Sequence, residues 1–366
     1  MPAQGGILYE PVPFESKGTS VRRIPFAAVS AASVLGLMAA CTPAPDEPPT
    51  LVLVTHDSFY LSEGTLEAFT DETGIGVELQ AAGDAGALVN QLVLTADSPL
   101  GDVVFGIDNS FAGRAAANGV LEDYLAPGAP EALLLPAGSG GGQLTPIDYG
   151  DVCWNADLAW FAGHPELPLP ETLADLADPA YRDLLVTPAA STSSPGLSFL
   201  LATVAAFGEE GWQDYWRSLV DNGLAVTAGW SDAYGVDFSG SSGEGDRPLV
   251  LSYATSPAAE IDEQTGEPRT AALLGTCFRQ VEYAGVIAGS EHPEEARRLV
   301  DFLLSVPVQE DIPWSMFMYP ANPEAALPGE WQGVAAAADQ PFTLDPAEID
   351  ANRERWLTEW SQLVTP

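Results

Sequence analysis

The chain has 366 residues, of which 46% are hydrophobic and nine are Trp, a composition that excludes wholesale disorder and leaves room for two domains. Its formal net charge of −39 opposes the binding of nucleic-acid phosphates, so we expect no DNA or RNA partner. The same charge favours cationic solutes, although an acidic surface also serves solubility alone.

The N-terminal segment has the layout of an export signal. Arg22 and Arg23 precede an apolar stretch, residues 24–40, that ends in small residues before Cys41. This stretch is too short to predict a membrane-spanning helix. The ending LMAAC resembles a bacterial lipobox, so we expect residues 1–40 to be a signal peptide and Cys41 to anchor the protein on the extracytoplasmic face of the cell membrane. The alternative is an ordinary cleaved signal with an incidental Cys41.

Two neighbouring segments complete the N-terminal interpretation. Residues 1–20 do not resemble the start of a signal peptide, and we hypothesise that they are a start-site artefact with Val21 as the initiator. Precursor peptides mapped to those residues would refute this. After the signal, residues 41–50 are rich in Pro and acidic side chains and are expected to form an extended tether.

Two cysteines remain in the body of the chain, Cys153 and Cys277. Export implies an oxidising compartment, so a disulfide between them is expected, with two separately buried thiols as the alternative. Their flanking runs, DVCWN and GTCFRQVEYAG, are strand-like and could be adjacent in one sheet. The three His residues are scattered and there is no CxxC motif, so no metal site is predicted.

Short β-rich runs alternate with helical patterns along the rest of the chain. The predicted strands are residues 51–56, 75–81, 102–107, 184–188, 224–229, 249–254 and 281–289. The predicted helices are residues 62–72, 85–96, 110–119, 172–178, 196–206, 209–221 and 291–305. This alternation predicts an α/β architecture with mostly parallel sheets covered on both faces.

The order of these segments predicts two lobes. We expect residues 51–147 and 281–344 to form the first lobe and residues 148–280 to form the second. Two chain crossings then make a hinge, and the cleft between the lobes is the expected binding site. Residues 345–366 are predicted to form a C-terminal helix that packs on the body through Ile349, Trp356, Trp360 and Leu363, after an N-cap at Asp345.

Polar and aromatic clusters follow several predicted strands, and the carboxyl ends of strands are where open α/β sheets hold ligands. Carboxylates could pair with a cation, hydroxyls at a helix start suit a polar group, and aromatic faces attract positive charge. Core packing and solvated surface carboxylates are the alternative interpretation of the same residues. The candidate ligand residues are Asp57, Ser58, Asp84, Asp108, Ser193, Trp230, Tyr234, Tyr253, Ser256, Phe317 and Tyr319.

Motifs for catalysis are weak in this sequence. There is no GxSxG nucleophile elbow, and the segment STSSPG has no obvious His partner. The run GSGGG is not followed by GK[ST], so it does not predict a phosphate loop, and we expect no cofactor.

Eight motifs, taken in order, resemble the thiamine-binding periplasmic proteins of ABC importers. They run from near residue 50 to the C-terminal helix and are DSF (57–59), DVVFGIDN (102–109), DYG (148–150), TSSPGL (192–197), GWSDAYG (229–235), LVLSYATSP (249–257), QVE (280–282) and MYP (318–320). The resemblance implies a two-lobed periplasmic-binding-protein fold of the type II-like class with a ligand cleft between lobes. It also implies capture of thiamine or a thiamine phosphate and delivery to a membrane permease.

The family's ligand residues carry over unevenly. Asp84 matches an acidic position that faces the ligand, Ser193 matches a position beside the phosphate end, and Trp230 and Tyr253 match two aromatic positions. Three aromatic positions of the family are changed in this chain. His56 replaces a Tyr before DSF, Phe317 replaces a Trp before MYP, and Ala259 replaces a Tyr after TSP. The charge of His56 would oppose a thiazolium, so pH-dependent recognition is a further expectation.

The sequence thus predicts a lipid-anchored, monomeric thiamine receptor of an ABC importer that has no catalytic activity. A receptor of the same fold for another small cation, such as a polyamine or a chelated metal, is the alternative. Two other classes remain open, a secreted hydrolase and a structural surface protein. The sequence does not distinguish thiamine from its phosphates.

Overall fold

The computed structural model describes residues 48–241 and 245–364. The predicted signal peptide, the predicted lipid attachment at Cys41 and residues 41–47 of the predicted tether lie outside the described residues. Within the described part of the chain, no helix is both long and apolar enough to cross a membrane.

The strands of the described residues form one mixed sheet. Their bounds are β1 (Thr50–Thr55), β2 (Gly76–Ala81), β3 (Val103–Asp108), β4 (Thr145–Asp157), β5 (Leu185–Pro188), β6 (Ala225–Thr227), β7 (Leu249–Tyr253), β8 (Thr270–Ala272), β9 (Phe278–Val286) and β10 (Tyr319–Pro320). The strand order is β2-β1-β3-β9-β4-β7-β5-β6, and β8 and β10 both pair with β4.

The expectation of mostly parallel sheets is wrong. β1 pairs in parallel with β2 and β3, and β5 pairs in parallel with β6 and β7, so the two outer parts of the sheet are parallel. The centre is antiparallel, because β4 and β9 run against each other and against the neighbours β7 and β3. Alternating strand and helix patterns describe the outer βαβ units but carry no information on these two long central strands.

Helices cover both faces of the sheet. They are α1 (Thr65–Thr73), α2 (Ala85–Leu94), α3 (Ala112–Ala117), α4 (Leu158–Gly163), α5 (Leu173–Leu176), α6 (Ser194–Phe207), α7 (Trp212–Asp221), α8 (Trp230–Asp232), α9 (Pro293–Leu303), α10 (Val306–Ser315) and α11 (Pro346–Val364). Consecutive residues of β1 show the two layers: Leu53 belongs to one core with Phe69 of α1 and Leu299 of α9, whereas Val54 belongs to the opposite core with Leu88 of α2. Burial on both faces is what the continuous apolar run of β1 indicates.

The two predicted crossing points lie side by side. The first falls between residues 147 and 148 in β4 and the second between residues 280 and 281 in β9, and these strands pair with Tyr149 opposite Val281. β10 joins the same region, because Tyr319 pairs with Tyr149. Long strands that two parts of a sheet share are suited to carry a hinge. This geometry supports the lobe boundaries, which remain a prediction.

The C-terminal helix α11 packs on the core as its pattern indicates. Ile349, Trp356 and Trp360 are buried, and the ring of Trp360 meets Trp216 of α7 edge to face at 5.7 Å. Asp345 precedes the helix and its carboxylate accepts the backbone N–H of Ala347 at 2.8 Å. The helix start therefore has the capping geometry that an Asp-Pro start favours.

Cys153 of β4 and Cys277, which precedes β9, form a disulfide in this structure. Both Cys residues are buried, where β4 and β9 pair in antiparallel fashion. The bond links positions 124 residues apart and so fixes the pairing of the two central strands.

Candidate functional site

A cleft of about 300 Å³ opens among the ends of several strands and helices. Its volume is in the range of small-molecule sites, and its lining combines aromatic and thioether groups with hydroxyls and two carboxylates. The lining residues are His56, Ser58, Asp84, Ala85, Ser194, Pro195, Trp230, Ser231, Tyr234, Tyr253, Thr255, Ser256, Ala259, Glu282, Ser315, Met316, Phe317 and Met318. Within residues 48–241 and 245–364, neither Arg nor Lys lines this cleft.

The aromatic wall of the cleft is built on Trp230. Its indole stacks on the ring of Tyr234 at 5.0 Å with an interplanar angle of 17°, and Tyr253 lies 6.5 Å away at a tilt of 59°. The indole N–H donates to the hydroxyl of Ser252 at 2.9 Å, and that hydroxyl lies 2.8 Å from the hydroxyl of Ser256. Since the ring is held by both stacking and a hydrogen bond, its orientation is fixed before any ligand arrives.

Tyr234 is held in turn by a charged pair. Its hydroxyl donates to Glu260 at 3.2 Å, and Glu260 forms an ion pair of 2.6 Å with Arg269. Burial, together with Glu260, raises the pKa of Tyr234 far above its ordinary value, so the phenol stays neutral. The residues from Ala233 to Asp237 form a π-helical turn, an irregularity that is frequent at functional sites.

Asp84 connects the two sides of the cleft. Its carboxylate accepts the backbone N–H of Ala85 at 2.7 Å, of Trp230 at 2.9 Å and, less closely, of Ser194 at 3.4 Å. These N–H groups begin α2, α8 and α6, so three helix N-termini meet one negative charge. Burial raises the pKa of the Asp84 carboxyl, although the hydrogen bonds from Trp230 and Ala85 oppose this.

The close approach of α2 to Thr192, just before α6, depends on a Gly. A Cβ atom on Gly86 would lie 2.7 Å from the carbonyl carbon of Thr192, closer than real contacts allow. The backbone N–H of Ala87 donates to that same carbonyl of Thr192 at 3.2 Å. A further direct contact across the cleft joins the hydroxyls of Ser58 and Ser231, which are 3.3 Å apart.

The floor of the cleft holds His56 and Glu282. Their side chains are 11% and 7% exposed, and the Nε2 atom of His56 lies 3.7 Å from a carboxylate oxygen of Glu282. The Nδ1 atom of His56 accepts the backbone N–H of Ser58 at 3.2 Å. Burial opposes a charge on the imidazole, but Glu282 outweighs it, with help from Asp84 and Asp57, and raises the pKa of His56.

Phe317 also lines the cleft, in the segment between α10 and β10. Its φ of 56° is in the left-handed region, which side chains other than Gly rarely adopt. Strain of this kind costs about 1–3 kcal/mol and is concentrated at binding sites, so the position of this ring at the cleft has a structural cost.

Comparisons with known proteins identify the family. Residues 98–339 match the bacterial extracellular solute-binding proteins. The chain is 30% identical to the thiamine-binding periplasmic protein of Escherichia coli (strain K12), a match that covers 90% of this chain and 98% of that protein. The chain is a bacterial extracellular solute-binding protein.

Further matches agree with this assignment. The thiamine-binding periplasmic protein of Brucella suis biovar 1 is also 30% identical, over 90% of this solute-binding protein and 95% of that chain. A solved structure titled periplasmic thiamin binding protein superposes with a TM-score of 0.76 at 29% identity and covers 88% of this chain and 98% of that one. The resemblance and the two-lobed α/β fold class predicted from the motifs are therefore confirmed, and the protein is exported and extracytoplasmic.

Most residues predicted to contact the ligand do line the cleft of this solute-binding protein. They are Ser58, Asp84, Trp230, Tyr234, Tyr253, Ser256 and Phe317. Ser58, Asp84 and Phe317 belong to the predicted first lobe and the other four to the predicted second lobe.

Four other predicted residues lie outside the lining. Asp57 is exposed, and Ser193 is buried at the position before α6. Asp108 is buried with its carboxylate accepting the hydroxyl and backbone N–H of Ser110 at 2.6 and 2.8 Å. Tyr319 stacks on Tyr149, and its hydroxyl donates to a backbone carbonyl at 2.7 Å. A direct contact between any of these four and a ligand remains a prediction.

Glu282 is the main lining residue absent from the predicted set. It stands in the motif QVE, and the buried neighbours Val281 and Tyr283 make it look like an ordinary strand residue. A charge in the middle of a buried strand is itself the signal that could have found it, because charged residues are almost never fully buried without a partner. Ala259 and His56, which replace aromatic residues of the family, both line the cleft.

Proposed function

We propose that the cleft binds thiamine or a thiamine phosphate and that the protein is the substrate-binding component of an ABC importer, delivering its ligand to a membrane permease. The observation that supports this most strongly is the pairing of a fixed aromatic wall, Trp230 with Tyr234 and Tyr253, with the carboxylates of Asp84 and Glu282. The relatives at 30% identity are named as thiamine-binding proteins.

Thiamine requires both kinds of residue because its thiazolium ring is flat and permanently positive. Moving a positive ring out of water is costly unless opposite charge and polarisable faces replace the water. A cation over an aromatic face gains about 0.5–2 kcal/mol, depending on how far it is desolvated. Carboxylates beside the rings supply the opposite charge, and no lining group of the described chain is an Arg or Lys that would repel the cation.

A binding role without catalysis is part of the proposal. The named relatives are binding proteins, and a receptor that hands over one solute needs neither a cofactor nor a second subunit. Among the described residues, no group of three or more His, Cys, Asp or Glu side chains is placed to hold a metal ion.

Lipid anchoring through Cys41 is proposed separately, on the sequence LMAAC alone. Mass spectrometry of the protein from cell membranes tests it directly. A diacylglyceryl group on an N-terminal Cys41 is expected, and release of a Cys41→Ser variant into the extracytoplasmic fluid should follow. An unmodified Cys41 in the membrane fraction would contradict the anchor without touching the assignment of the ligand.

The proposed ligand is tested by titrating the purified protein with thiamine while following both heat and Trp fluorescence. Thiamine phosphates and spermidine are titrated alongside. We expect saturable binding of one thiamine per chain that Trp230→Ala weakens by at least about tenfold, because the variant loses stacking worth roughly 1.4 kcal/mol or more.

Trp314 provides the matched control. Its side chain is 55% exposed and does not line the cleft, so Trp314→Ala removes an indole without removing a cleft contact. Equal weakening by both substitutions would contradict the proposed site. If no form of thiamine gives heat or quenching, the proposed ligand is contradicted. The protein would then be a receptor for another cation.

A further inference from the structure

Three carboxylates form a row beneath the cleft. Glu282 of β9 lies opposite Asp108 of β3 on one side and opposite Asp148 of β4 on the other. Residues directly opposite in an antiparallel pair project from the same face, and like charges there destabilise a sheet. Asp108 and Asp148 are fully buried, and of the three only Glu282 reaches the cleft.

The two flanking carboxyls are buried, and Glu282 is the member of the row that a ligand can contact. Burial and the neighbouring Glu282 raise the pKa of Asp148 well above its ordinary value, which favours the neutral acid. Burial raises the pKa of Asp108 to about 6, although hydrogen bonds from Ser110 and Ser194 oppose this. Gln280 holds Glu282 in place by donating one N–H at 3.2 Å, and the same amide group lies 3.2 Å from the hydroxyl of Tyr253.

His56 faces this row from the end of β1. Of the residues that are described and line the cleft, it is the one whose side chain can become positive. Its ring packs closely on β3: a Cβ atom on Gly106 would lie 2.2 Å from the Cδ2 atom, and the ring of Phe105 is 5.6 Å away. The imidazole therefore has no room to move towards β3.

The charged groups around His56 all favour its protonated form. Glu282 faces it from β9, Asp84 from the start of α2, and Asp57 from its own loop. The 3.7 Å between Nε2 and Glu282 is longer than a hydrogen bond but short enough for a strong charge interaction. In the empty cleft, the proton on His56 thus partly neutralises the carboxylate row.

We propose that Glu282 is the counter-charge for the cationic ring of the ligand and that the ligand displaces the proton of His56, so that binding and protonation exclude each other. This inference rests on the proposed function, because it assigns the positive group of thiamine to a place in the same cleft. It makes Glu282 a specificity-determining residue for cations and His56 the residue that links their binding to pH.

The direction of the pH effect follows from the charges. Below the pKa of His56 in the empty protein, each ligand must expel one proton, so affinity falls by about tenfold per pH unit. Above that pKa the imidazole is already neutral and affinity levels off. Protonation of Nδ1 would also cost the hydrogen bond from the backbone N–H of Ser58, whose hydroxyl reaches Ser231 across the cleft, and this acts in the same direction.

The test is a calorimetric titration with thiamine between about pH 5.5 and 8, on both sides of the ordinary imidazole pKa of ~6.5. Each pH is measured in two buffers of different ionisation enthalpy, which counts the protons released. We expect release of up to about one proton per thiamine at the acidic end and none at the alkaline end.

Variants assign the effect to its residues. His56→Gln should make the pH profile shallower and lower the number of protons released. The linkage that remains comes from thiamine itself and from Asp108, and it is common to both proteins. Glu282→Gln should lower the affinity for thiamine by at least about tenfold at the alkaline end of the pH range, where His56 is neutral. His292→Gln and Glu263→Gln are the matched controls, because both side chains lie away from the cleft, and they should leave affinity and profile unchanged.

The outcomes separate this inference from the proposed function. Thiamine binding with a flat profile and no proton release in the unaltered protein would overturn the inference and leave the thiamine receptor standing. A pH profile and a proton release in His56→Gln equal to those of the unaltered protein would overturn the role of His56. Absence of thiamine binding at every pH would overturn both proposals together. Thermal unfolding shows whether Glu282→Gln folds. If the variant does not fold, counting the protons released by the unaltered protein still tests whether thiamine binding and protonation of His56 exclude each other.

Discussion

At the scale of single residues, Asp84 has two roles that a substitution can separate. Its carboxylate caps α2 through Ala85 and also holds the opposite side of the cleft through Trp230. Asp84→Asn keeps a side chain that caps helices well but removes the charge. We expect thiamine affinity to fall by about tenfold while the free energy of unfolding falls by less than about 1 kcal/mol, measured by calorimetry and by denaturant unfolding.

A second Asp provides the control for that experiment. Asp178 caps the turn at Pro179–Tyr181 by accepting the backbone N–H of Ala180 at 2.8 Å, and it does not line the cleft. Asp178→Asn should therefore match the change in stability and leave affinity unaltered. An Asp84→Asn protein that bound thiamine normally would show that the charge of Asp84 contributes nothing to affinity.

The candidate site could be predicted where the signal is local. Trp230 stands just past the end of β6 and Tyr253 is the last residue of β7, so their place at the cleft follows from chain order and the rule for open sheets. Asp108 satisfies that rule as well, yet its carboxylate turns back to Ser110, as Asp residues in turns often do. Glu282 could not be placed from sequence, because only the pairing with β3 and β4 reveals which face it occupies.

At the scale of elements, the outer strands were predictable and the central ones only partly. β1, β3 and β7 are short apolar runs bounded by turn residues, which is a strong strand signal. β4 was predicted only in part: the run DVCWN is strand-like and pairs with β9 as expected, but Pro146, Gly150 and three Asp residues interrupt the apolar pattern of the whole strand. Burial at the centre of the sheet overrides that weak local preference. α10 was missed in a similar way, since Pro313 lies inside it.

The disulfide gives a prediction for the pairing of β4 and β9. It closes a loop of 124 residues, and long loops are constrained most by a cross-link. We expect the double substitution of Cys153 and Cys277 by Ala to lower the free energy of unfolding by about 2–4 kcal/mol in denaturant titrations. Thiamine affinity should change little, because neither Cys lines the cleft.

Reduction of the unaltered protein is the control for that experiment, because it opens the same bond without changing a side chain. Both treatments should give the same loss of stability. Unchanged unfolding after complete reduction would contradict a structural role for the bond.

At the scale of the whole molecule, the contacts across the cleft describe a closed arrangement. Asp84 reaches Trp230 and Ser58 reaches Ser231, so opening would break both contacts. A ligand that contacts both sides favours the closed state by its difference in affinity for the two. We therefore expect the radius of gyration from solution scattering to decrease when thiamine is added to the empty protein.

A cross-linked variant makes that prediction specific. The hydroxyls of Ser58 and Ser231 are 3.3 Å apart, so a disulfide between Cys residues at these two positions should lock the cleft shut. The oxidised variant should show no change in radius with thiamine, and reduction should restore the change. An identical radius for the empty and loaded forms of the unaltered protein would contradict hinge closure and the predicted lobe boundaries.

The most direct measurement is a crystal structure of the protein grown with thiamine. We expect the aromatic part of the ligand against Trp230, with ring centroids within about 6 Å, and the thiazolium within about 4–6 Å of the carboxylate of Glu282. Thiamine bound outside this cleft, or bound in it with the positive ring turned away from both Glu282 and Asp84, would contradict the assignment of the site.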